Sequence, residues 1–391
     1  MRWWRGFATG LIIGLIAGGV FLLGYGLGTH QAAAADIADF DLLWQVRSLL
    51  DKSFIGEAPA AQKQVYGAAH GLVASYNDPY TVFVEPAPRE VERDQLRGHF
   101  GGIGAYMGRN EAGEMELTVM RDRPAARAGI QDGDILLAVD GTVITSDMPV
   151  DEIVVLVRGD VGTQVVLRIR RGPDGEPFDV SVTRERIETP SVEWRVLDAE
   201  QHTGYVHISI FGERTGEELR TGLAELASQG VERLVLDLRG NGGGLVDAAV
   251  EITSQFLKSG NVLREIKRGG QERFYPVKPV RSPAHDWETL ILVDAGTASA
   301  SEIVAGALRD EKGALLIGEK TYGKGSVQEV HEFSDGSSLH VTVARWLTPE
   351  RHEIDKNGLE PDIVVNITQE DRAAGRDPQL ARAEAYFAGE H

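Results

Sequence analysis

The stretch TLILVDAGTASASEIVAGALRDEKGALLIG, residues 289–318, decides the fold class of the chain. It begins with an apolar run of strand length, continues with a helix predicted from Ser299 to Leu308, and ends in a second apolar run at 314–318. The same alternation occurs upstream, with strands predicted at 204–210 and 233–238 and helices at 215–228 and 245–257. Repeated strand–helix units of this kind predict an α/β core.

Composition and charge limit the chemistry. The 391 residues are 42% hydrophobic and 25% charged, which is typical of a globular protein with two or three domains. Lys and Arg total 40 against 59 Asp and Glu, so the formal net charge of -19 disfavours nucleic acid or anionic lipid as the main partner. The absence of cysteine excludes thiol nucleophiles, thiolate metal sites and disulfides. A protein or a small molecule is therefore the expected substrate.

The first 35 residues predict a membrane segment. No formally charged side chain occurs from Gly6 to Ala35, and residues 7–27 are long enough to cross a bilayer. Because Arg2 and Arg5 precede this segment, the positive-inside rule places everything after residue 35 on the extracytoplasmic side. A cleaved signal sequence is the alternative, since small residues at 32–35 suit a signal peptidase. The body is expected to be membrane-anchored or secreted.

The rest of the chain divides where the sequence pattern changes. Residues 36–90 predict a helical region, which either packs on the core or serves as a contact in a homodimer. Residues 98–187 predict short strands separated by glycine turns, and residues 190–367 contain the α/β core. Residues 368–391 predict a short helical tail. The overall prediction is a multidomain α+β protein built around an α/β core.

Residues 98–141 carry a peptide-recognition motif. The glycine-rich loop Gly101-Gly102-Ile103-Gly104 precedes a predicted strand and, alone, is also explained as an ordinary tight turn. Three segments follow it at a characteristic spacing: PAARAGI at 124–130, DGDIL at 132–136 and VDG at 139–141. The combination resembles a PDZ domain. Such a loop exposes N–H groups that hold a terminal carboxylate, while the peptide adds to the sheet edge as an extra strand.

A serine lies where a predicted strand turns into a helix. Ser299 forms an S-x-x-E capping box with Glu302, so a role as a helix cap also explains it. A nucleophile gains from the same position, because the turn exposes its hydroxyl and the first helical N–H groups point at developing negative charge. Ser301, inside the first helical turn, is the competing nucleophile. None of the ten histidines lies in a turn motif that points at this serine.

A lysine between two glycines follows the next predicted strand. Gly323 and Gly325 let the backbone around Lys324 approach another loop closely, which an ordinary solvated lysine does not require. Ser299 with Lys324, and Gln328 four residues on, resemble the C-terminal processing peptidases, also called tail-specific proteases. These are serine proteases with a Ser-Lys dyad and a PDZ domain before the catalytic core.

The resemblance extends over nearly the whole chain. Beyond SASEIVAGAL at 299–308, the matching motifs are NDPYT at 77–81, DLR at 237–239, NGGG at 241–244, GEKTYGKGSVQ at 318–328 and NGLEPD at 357–362. Two positions depart from the family pattern, since Thr297 stands where serine is commoner and Gly242 where proline is often found. Neither departure is expected to disable the enzyme.

The resemblance implies a crotonase/ClpP-like protease core that hydrolyses peptide bonds with neither a cofactor nor a metal. A lysine with the ordinary pKa, near 10.4, is protonated at neutral pH, so Lys324 must be desolvated before it accepts the proton of Ser299. Gln328 resembles the third member of the family's site and would orient the lysine. The predicted oxyanion donors are the backbone N–H groups of Gly243, in the glycine loop, and Ala300, after the nucleophile.

Two further positions are implied by the resemblance alone. Asp310 resembles an accessory position of the family, although a surface acid at a helix end explains it equally well. Arg158, at the end of a helix predicted at 150–157, resembles a position that couples the PDZ domain to the protease, with a surface arginine as the alternative.

The implied function is cleavage of extracytoplasmic proteins near their C-termini, in processing or degradation. Two other classes share part of the pattern. A PDZ adaptor with an inactive protease-like core does not explain why Ser299, Lys324 and Gln328 are intact. A crotonase-type acyl-transfer enzyme or hydratase explains neither the PDZ segment nor the Gly-Lys-Gly loop.

Overall fold

The computed structural model of the protein describes residues 40–390. The predicted membrane segment, residues 1–35, lies outside this range. None of the helices formed by residues 40–390 is both long enough and apolar enough to cross a bilayer. The chain divides into two compact units, with the boundary after Ala68.

The first unit contains helix α1 (Asp41–Ser53) and the beginning of helix α2 (Ala61–Ala74), as the helical spacing predicts. Neither helix has a buried residue, and large apolar side chains are exposed along both: Leu42, Leu43, Trp44, Leu49, Leu50, Phe54 and Val65. A groove of about 510 Å³, with predominantly apolar walls, lies along residues 43–68. The apolar pattern that predicted these helices is therefore not used to form a core within this unit.

The chain then enters the second unit through a strand and a helix. Strand β1 (Val82–Val84) falls inside the region predicted to be helical, and helix α3 (Pro86–Arg97) runs past its predicted boundary at residue 90. Pro86 occupies the first turn, where its missing N–H is not needed, and Gly98 ends the helix with a left-handed φ of 71°. The helical region predicted for residues 36–90 therefore also contains a strand, and its last helix extends to residue 97.

Residues 99–188 form an antiparallel domain with its own hydrophobic core. Its five-stranded sheet has the order β3-β4-β5-β7-β8, with the short strand β6 (Thr142–Val143) beside β5. The strands are β3 (Ala105–Arg109), β4 (Met115–Val119), β5 (Asp134–Val139), β7 (Gln164–Arg170) and β8 (Phe178–Thr183). Strands β2 (His99–Gly102) and β9 (Glu185–Glu188) form a separate pair.

Two helices pack on this domain, α4 (Pro124–Arg127) and α5 (Val150–Val157). Helix α5 has the predicted bounds and buries Ile153 and Val157 in the core, next to Leu117 and Leu167.

The α/β core is a six-stranded sheet of order β10-β11-β12-β15-β16-β19, parallel except for the β10–β11 pair. Its strands are β10 (Val192–Asp198), β11 (Thr203–Ile208), β12 (Arg233–Asp237), β15 (Glu288–Val293), β16 (Leu315–Gly318) and β19 (Ile363–Val364). The central strands read as continuous apolar runs because both faces are covered. The predicted α/β core is thus present.

Helices cover the two faces of this sheet. One face packs against α6 (Thr215–Ser228), α7 (Val246–Ser254) and α8 (Ala300–Lys312), through residues such as Leu236 and Ile291. The other face packs against the C-terminal helix α10 (Pro378–Phe387), where Val235 and Leu290 meet Phe387. The short helix α9 (Gln369–Ala373) precedes α10.

A second, antiparallel sheet completes the core, and the sequence pattern does not predict it. Strand β18 (Ser338–Leu347) pairs with β1, with β13 (Asn261–Lys267) and with β17 (Ser326–Glu332), while β14 (Glu272–Pro276) pairs with β13. Strand β17 begins two residues after Lys324. This sheet therefore positions the lysine and Gln328.

Candidate active site

Ser299 lies in a strained turn between β15 and α8. Its φ of 55° and ψ of -116° fall outside the regions that L-residues normally occupy. The turn is fixed by Thr297, whose buried hydroxyl donates to the Leu238 carbonyl at 2.9 Å and accepts from the N–H of Asp294 at 3.0 Å. Threonine therefore supplies the hydroxyl that serine would supply at this position. The backbone conformation lifts a partly exposed Ser299 out of the helix that follows it.

The glycine loop after β12 lies directly against this turn. A Cβ at Gly243, where φ is 105°, would be 2.8 Å from Ser299 Cβ and 2.9 Å from the Ala300 nitrogen. The fully buried Asn241 holds the loop, since its Nδ2 donates to the Ile208 carbonyl at 2.7 Å. Its Oδ1 accepts the N–H of Gly243 at 2.9 Å. Both predicted oxyanion donors thus flank Ser299, and the N–H of Gly243 already has a hydrogen-bond partner in Asn241 Oδ1.

Ser301, the competing nucleophile, is fully buried. Its hydroxyl donates to the backbone carbonyl of Asn241 at 2.8 Å, and the same carbonyl accepts from the N–H of Ala298 at 3.0 Å. Ser301 therefore joins the helix start to the glycine loop, and its hydroxyl is turned away from solvent.

Lys324 lies in a loop that packs closely on residues 355–358. A Cβ at Gly325 would be 2.4 Å from the Asp355 nitrogen, and one at Gly323 would be 2.9 Å from the Gly358 nitrogen. These distances confirm that both glycines are needed for a close backbone approach. The Lys324 carbonyl accepts from Trp346 Nε1 at 3.2 Å, which fixes the loop against β18.

The amine of Lys324 is partly buried and faces Gln328. Its Nζ donates to Gln328 Oε1 at 2.8 Å. Burial lowers the pKa of Lys324 below its usual value, while the nearby carboxylates of Glu92 and Asp78 oppose this shift. Desolvation thus acts in the direction that a general base requires at neutral pH.

One carboxylate joins the nucleophile's turn to the lysine's loop. Glu302 is fully buried and accepts the N–H of Ser299 at 2.9 Å and the N–H of Lys324, also at 2.9 Å. It further accepts from Thr321 Oγ1 at 2.5 Å and from the N–H of Gly323 at 2.8 Å. Burial raises the pKa of Glu302, although these hydrogen bonds oppose the shift.

The sequence reveals Glu302 only as half of a capping box. Its second set of contacts, with the lysine loop, has no local signal. Tyr80, in the segment before the PDZ domain, was also missed as a site residue. Its carbonyl accepts from Gln328 Nε2, and its ring centroid lies 5.3 Å from Lys324 Nζ.

The predicted peptide-binding loop leads into an edge strand. Gly101 and Gly102 belong to β2 and pair with β9, so Ile103 and Gly104 form the turn into β3. Gly104 has a φ of 71°, and a Cβ there would collide with Arg123 at 2.3 Å. Strand β3 is the last in its sheet, and helix α5 lies beside it. This is the arrangement that β-strand addition by a peptide requires.

Asp310 lies far from Ser299. It lies eleven residues after Ser299 on the same helix, about 16 Å along the axis. Its side chain is 2% exposed, so the alternative of a surface acid was wrong. One carboxylate oxygen accepts the N–H of Glu350 at 2.9 Å, which fixes the loop after β18.

Arg158 is also not a surface residue, since its side chain is 14% exposed. Its Nη1 donates to Asp94 on α3 at 2.6 Å, and its guanidinium lies 3.8 Å from the centroid of Phe100. The same helix α3 carries Arg89, which donates to Glu332 on β17 at 3.0 Å. Helix α3 therefore contacts both the end of α5 and the strand that carries Gln328.

Glu302 connects a serine in a tight turn to a loop that carries a partly desolvated lysine. This arrangement is expected of a serine peptidase, and in this chain it follows the predicted PDZ domain. Residues 202–365 match the model of peptidase family S41, and residues 117–171 match a PDZ domain model. The chain is 33% identical over 340 residues to a probable CtpA-like serine protease of Staphylococcus epidermidis, covering 87% of this chain and 67% of that one. The protein belongs to peptidase family S41.

Two further proteins are similar to the chain. A probable CtpA-like serine protease of Staphylococcus haemolyticus is 37% identical over 310 residues, which are 79% of this chain and 61% of the relative. Among solved structures, a photosystem II D1 C-terminal processing protease is 30% identical, with 83% of this chain and 86% of that chain covered and a TM-score of 0.48. The chain thus spans about three fifths to two thirds of the length of the two staphylococcal relatives.

Proposed function

We propose that the protein is an endopeptidase that binds protein C-termini through its PDZ domain and cleaves near them with a Ser299–Lys324 dyad. The observation that carries this proposal is the environment of Lys324. Its amine is partly buried and hydrogen-bonded to Gln328. Its backbone N–H is hydrogen-bonded to the Glu302 carboxylate, which also accepts the N–H of Ser299. A lysine that only served solubility would need none of these contacts.

The reaction follows from this geometry. Neutral Lys324 takes the proton of Ser299 as Oγ attacks the peptide carbonyl, and the C–N bond breaks as Lys324 returns the proton to the leaving amine. Lys324 then deprotonates a water molecule that attacks the acyl ester, and it returns this proton to Ser299 Oγ as the ester C–O bond breaks. The N–H of Ala300 stabilises the oxyanion, and the N–H of Gly243 joins it by exchanging its bond with Asn241 for one to substrate.

Lys324 makes its hydrogen bond to Gln328 in the free enzyme. In the part of the chain that the structure describes, no hydrogen bond joins Lys324 Nζ to Ser299 Oγ. Catalytic hydrogen bonds in free enzymes are commonly long and shorten when substrate binds. In this proposal, Lys324 Nζ and Ser299 Oγ come within hydrogen-bond distance when a peptide occupies the site.

The PDZ domain supplies the selection for chain ends. A substrate C-terminus adds to β3 as a further strand, with its carboxylate at the turn formed by Ile103 and Gly104. When a peptide binds beside α5, Arg158 at the end of that helix transmits the change to α3 through its hydrogen bond to Asp94. Arg158 thereby couples the PDZ domain to the protease.

The remaining parts of the proposal concern location and assembly. Residues 1–35 anchor the protein in a membrane or direct its export, so that the catalytic body processes or degrades proteins outside the cytoplasm. The exposed apolar side chains of α1 and α2 are suited to contact a second copy of the chain. The protein then acts as a homodimer, and the crotonase/ClpP-like architecture of the core stays a prediction.

The test compares two peptides of identical sequence, one ending in a free carboxylate after an apolar residue and the other in an amide. The full chain in detergent should cleave the free-carboxylate peptide faster, while Ser299→Ala should cleave neither, with cleavage sites mapped by mass spectrometry. Equal cleavage of both peptides would contradict recognition of the C-terminus. Failure to cleave any unfolded protein, or to react with a serine-directed covalent probe, would contradict the peptidase.

A further inference from the structure

The segment before the PDZ domain reaches the dyad through a closed turn, residues 78–81. Asp78 Oδ1 accepts the N–H of Tyr80 at 3.2 Å, and Asp78 Oδ2 accepts from Thr81 Oγ1 at 2.6 Å. Thr81 Oγ1 in turn accepts the N–H of Thr342 on β18 at 3.1 Å. The turn is therefore closed by its own side chains and attached to the central strand of the antiparallel sheet.

This turn contacts both polar members of the site. The backbone carbonyl of Tyr80 accepts from Gln328 Nε2, and the Tyr80 ring covers Lys324 Nζ with its centroid 5.3 Å away. Tyr80 precedes Lys324 by 244 residues in sequence. Long-range packing of an N-terminal segment therefore forms part of the catalytic environment.

The carbonyl of Tyr80 decides which way the Gln328 amide points. A backbone carbonyl only accepts, so the NH₂ end of the amide must face Tyr80 and its oxygen must face Lys324. A neutral lysine has two N–H donors and one lone pair. Because Gln328 Oε1 occupies a donor, the lone pair stays available for the proton of Ser299. The reversed amide would donate to that lone pair and block it.

We propose that the turn 78–81 is a positioning element of the catalytic site, which fixes the orientation of Gln328 and covers the amine of Lys324. This inference rests on the proposed dyad and extends it to a segment outside the protease core. The turn acts through Gln328 and Lys324 and does not itself react with substrate.

Thr81→Val tests the turn without changing a charge. Valine keeps the side-chain shape but removes the hydroxyl that closes the turn and attaches it to Thr342. We expect kcat at neutral pH to fall about tenfold with KM within about twofold, and Thr81→Ser to restore most of the activity. Thr221→Val, which removes an exposed helix hydroxyl bonded to the Glu217 carbonyl, is the matched control.

The pH profile separates positioning from general loss of structure. The charged and titratable groups that face Lys324 are Glu92 on α3, Asp78 and Tyr80 in the turn and His340 on β18, and Thr81→Val leaves all four in place. A loosened turn admits water to the amine, so the acid limb of the kcat profile should move to higher pH. A wild-type kcat and an unmoved limb in Thr81→Val would overturn the proposal, as would an activity loss that Thr81→Ser does not rescue.

A second variant covers the case in which Thr81→Val fails to fold. Tyr80→Ala keeps the backbone carbonyl and the bonds of Asp78 but uncovers the amine. We expect the admitted water to raise the pKa of Lys324 by more than the lost cation–π contact lowers it, so the acid limb should again move to higher pH, whereas Tyr80→Phe should keep the wild-type limb. A limb that does not move in Tyr80→Ala would overturn the covering role. Turnover retained in Ser299→Ala would instead contradict the dyad, whatever the turn variants show.

Discussion

The two sheets of the protease core contribute to the active site in different ways. The parallel sheet carries Ser299 and the glycine loop at adjacent strand ends, so that short connections within one layer place both. The antiparallel sheet carries Gln328 on β17, adjoins Lys324, and receives Tyr80 from a segment that precedes the PDZ domain. The proposed nucleophile is thus positioned by local geometry, whereas the proposed base depends on contacts between distant parts of the chain.

This difference follows from the different environments that Ser299 and Lys324 require for the proposed reaction. A serine hydroxyl needs exposure and N–H groups nearby, which a strand–turn–helix unit provides. A lysine base needs to be removed from water, and only groups from several elements can surround its amine. Glu302 connects the two halves, since it holds the backbone of both residues.

Removing either half of the dyad should have the largest effect. Ser299→Ala and Lys324→Ala should each lower kcat by about 10⁴-fold or more, because neither proton transfer nor acyl transfer can proceed without its partner. Peptide cleavage measures the effect, and circular dichroism shows whether the fold is intact. Substantial turnover in either variant would contradict the proposed Ser299–Lys324 dyad.

Removing the link that Glu302 makes between the Ser299 turn and the Lys324 loop should have the next largest effect. In Glu302→Gln an NH₂ group replaces one carboxylate oxygen and faces backbone N–H donors, each of which costs about 1–3 kcal/mol when left unsatisfied. We expect kcat to fall about 100-fold and the melting temperature to drop. Glu311→Gln, an exposed glutamate of the same helix, is the control, and equal behaviour of the two variants would refute the connecting role.

Arg158→Ala tests whether the PDZ domain acts on the antiparallel sheet that carries Gln328 and adjoins Lys324. Losing the bond to Asp94 should reduce stimulation of cleavage by a PDZ-binding peptide by about fivefold. The affinity of the peptide itself, measured by fluorescence anisotropy, should change less. Arg168→Ala, which removes a surface pair with Asp179, should leave stimulation unchanged. Identical basal and stimulated rates in Arg158→Ala and wild type would dismiss the coupling.

The smallest expected effect concerns the charge around the base. Activity should rise with pH as Lys324 loses its proton, and its acid limb should lie below the ordinary lysine pKa because burial lowers the pKa of Lys324. Glu92 opposes that shift, so Glu92→Gln should lower the pKa further and move the limb to lower pH. A limb displaced to higher pH in this variant would contradict the assignment of the limb to Lys324.

The sequence predicted the parallel half of the molecule well, because its signals are local. Helices α6 and α10 have the predicted bounds, and strand β11 begins and ends within two residues of its prediction. The capping box at Ser299 and the glycine pair around Lys324 also carry local information.

The antiparallel half was missed because its pairing is set by tertiary contacts. Strand β18 pairs with β1, which lies more than 250 residues earlier, and no turn signal marks that register. The orientation of Gln328 and the covering of Lys324 depend on Tyr80 in the same way. A resemblance named the residues of the dyad, but only the folded chain shows what surrounds them.

The backbone conformation of Ser299 is expected to lower the folding stability of the chain. A φ of 55° with a ψ of -116° is a conformation that glycine adopts without strain and alanine does not. Ser299→Gly should therefore unfold at a higher temperature than Ser299→Ala, by the equivalent of about 1–3 kcal/mol, although both are inactive. A wild-type enzyme less stable than its glycine variant would show that the nucleophile is held in its turn at the expense of the fold.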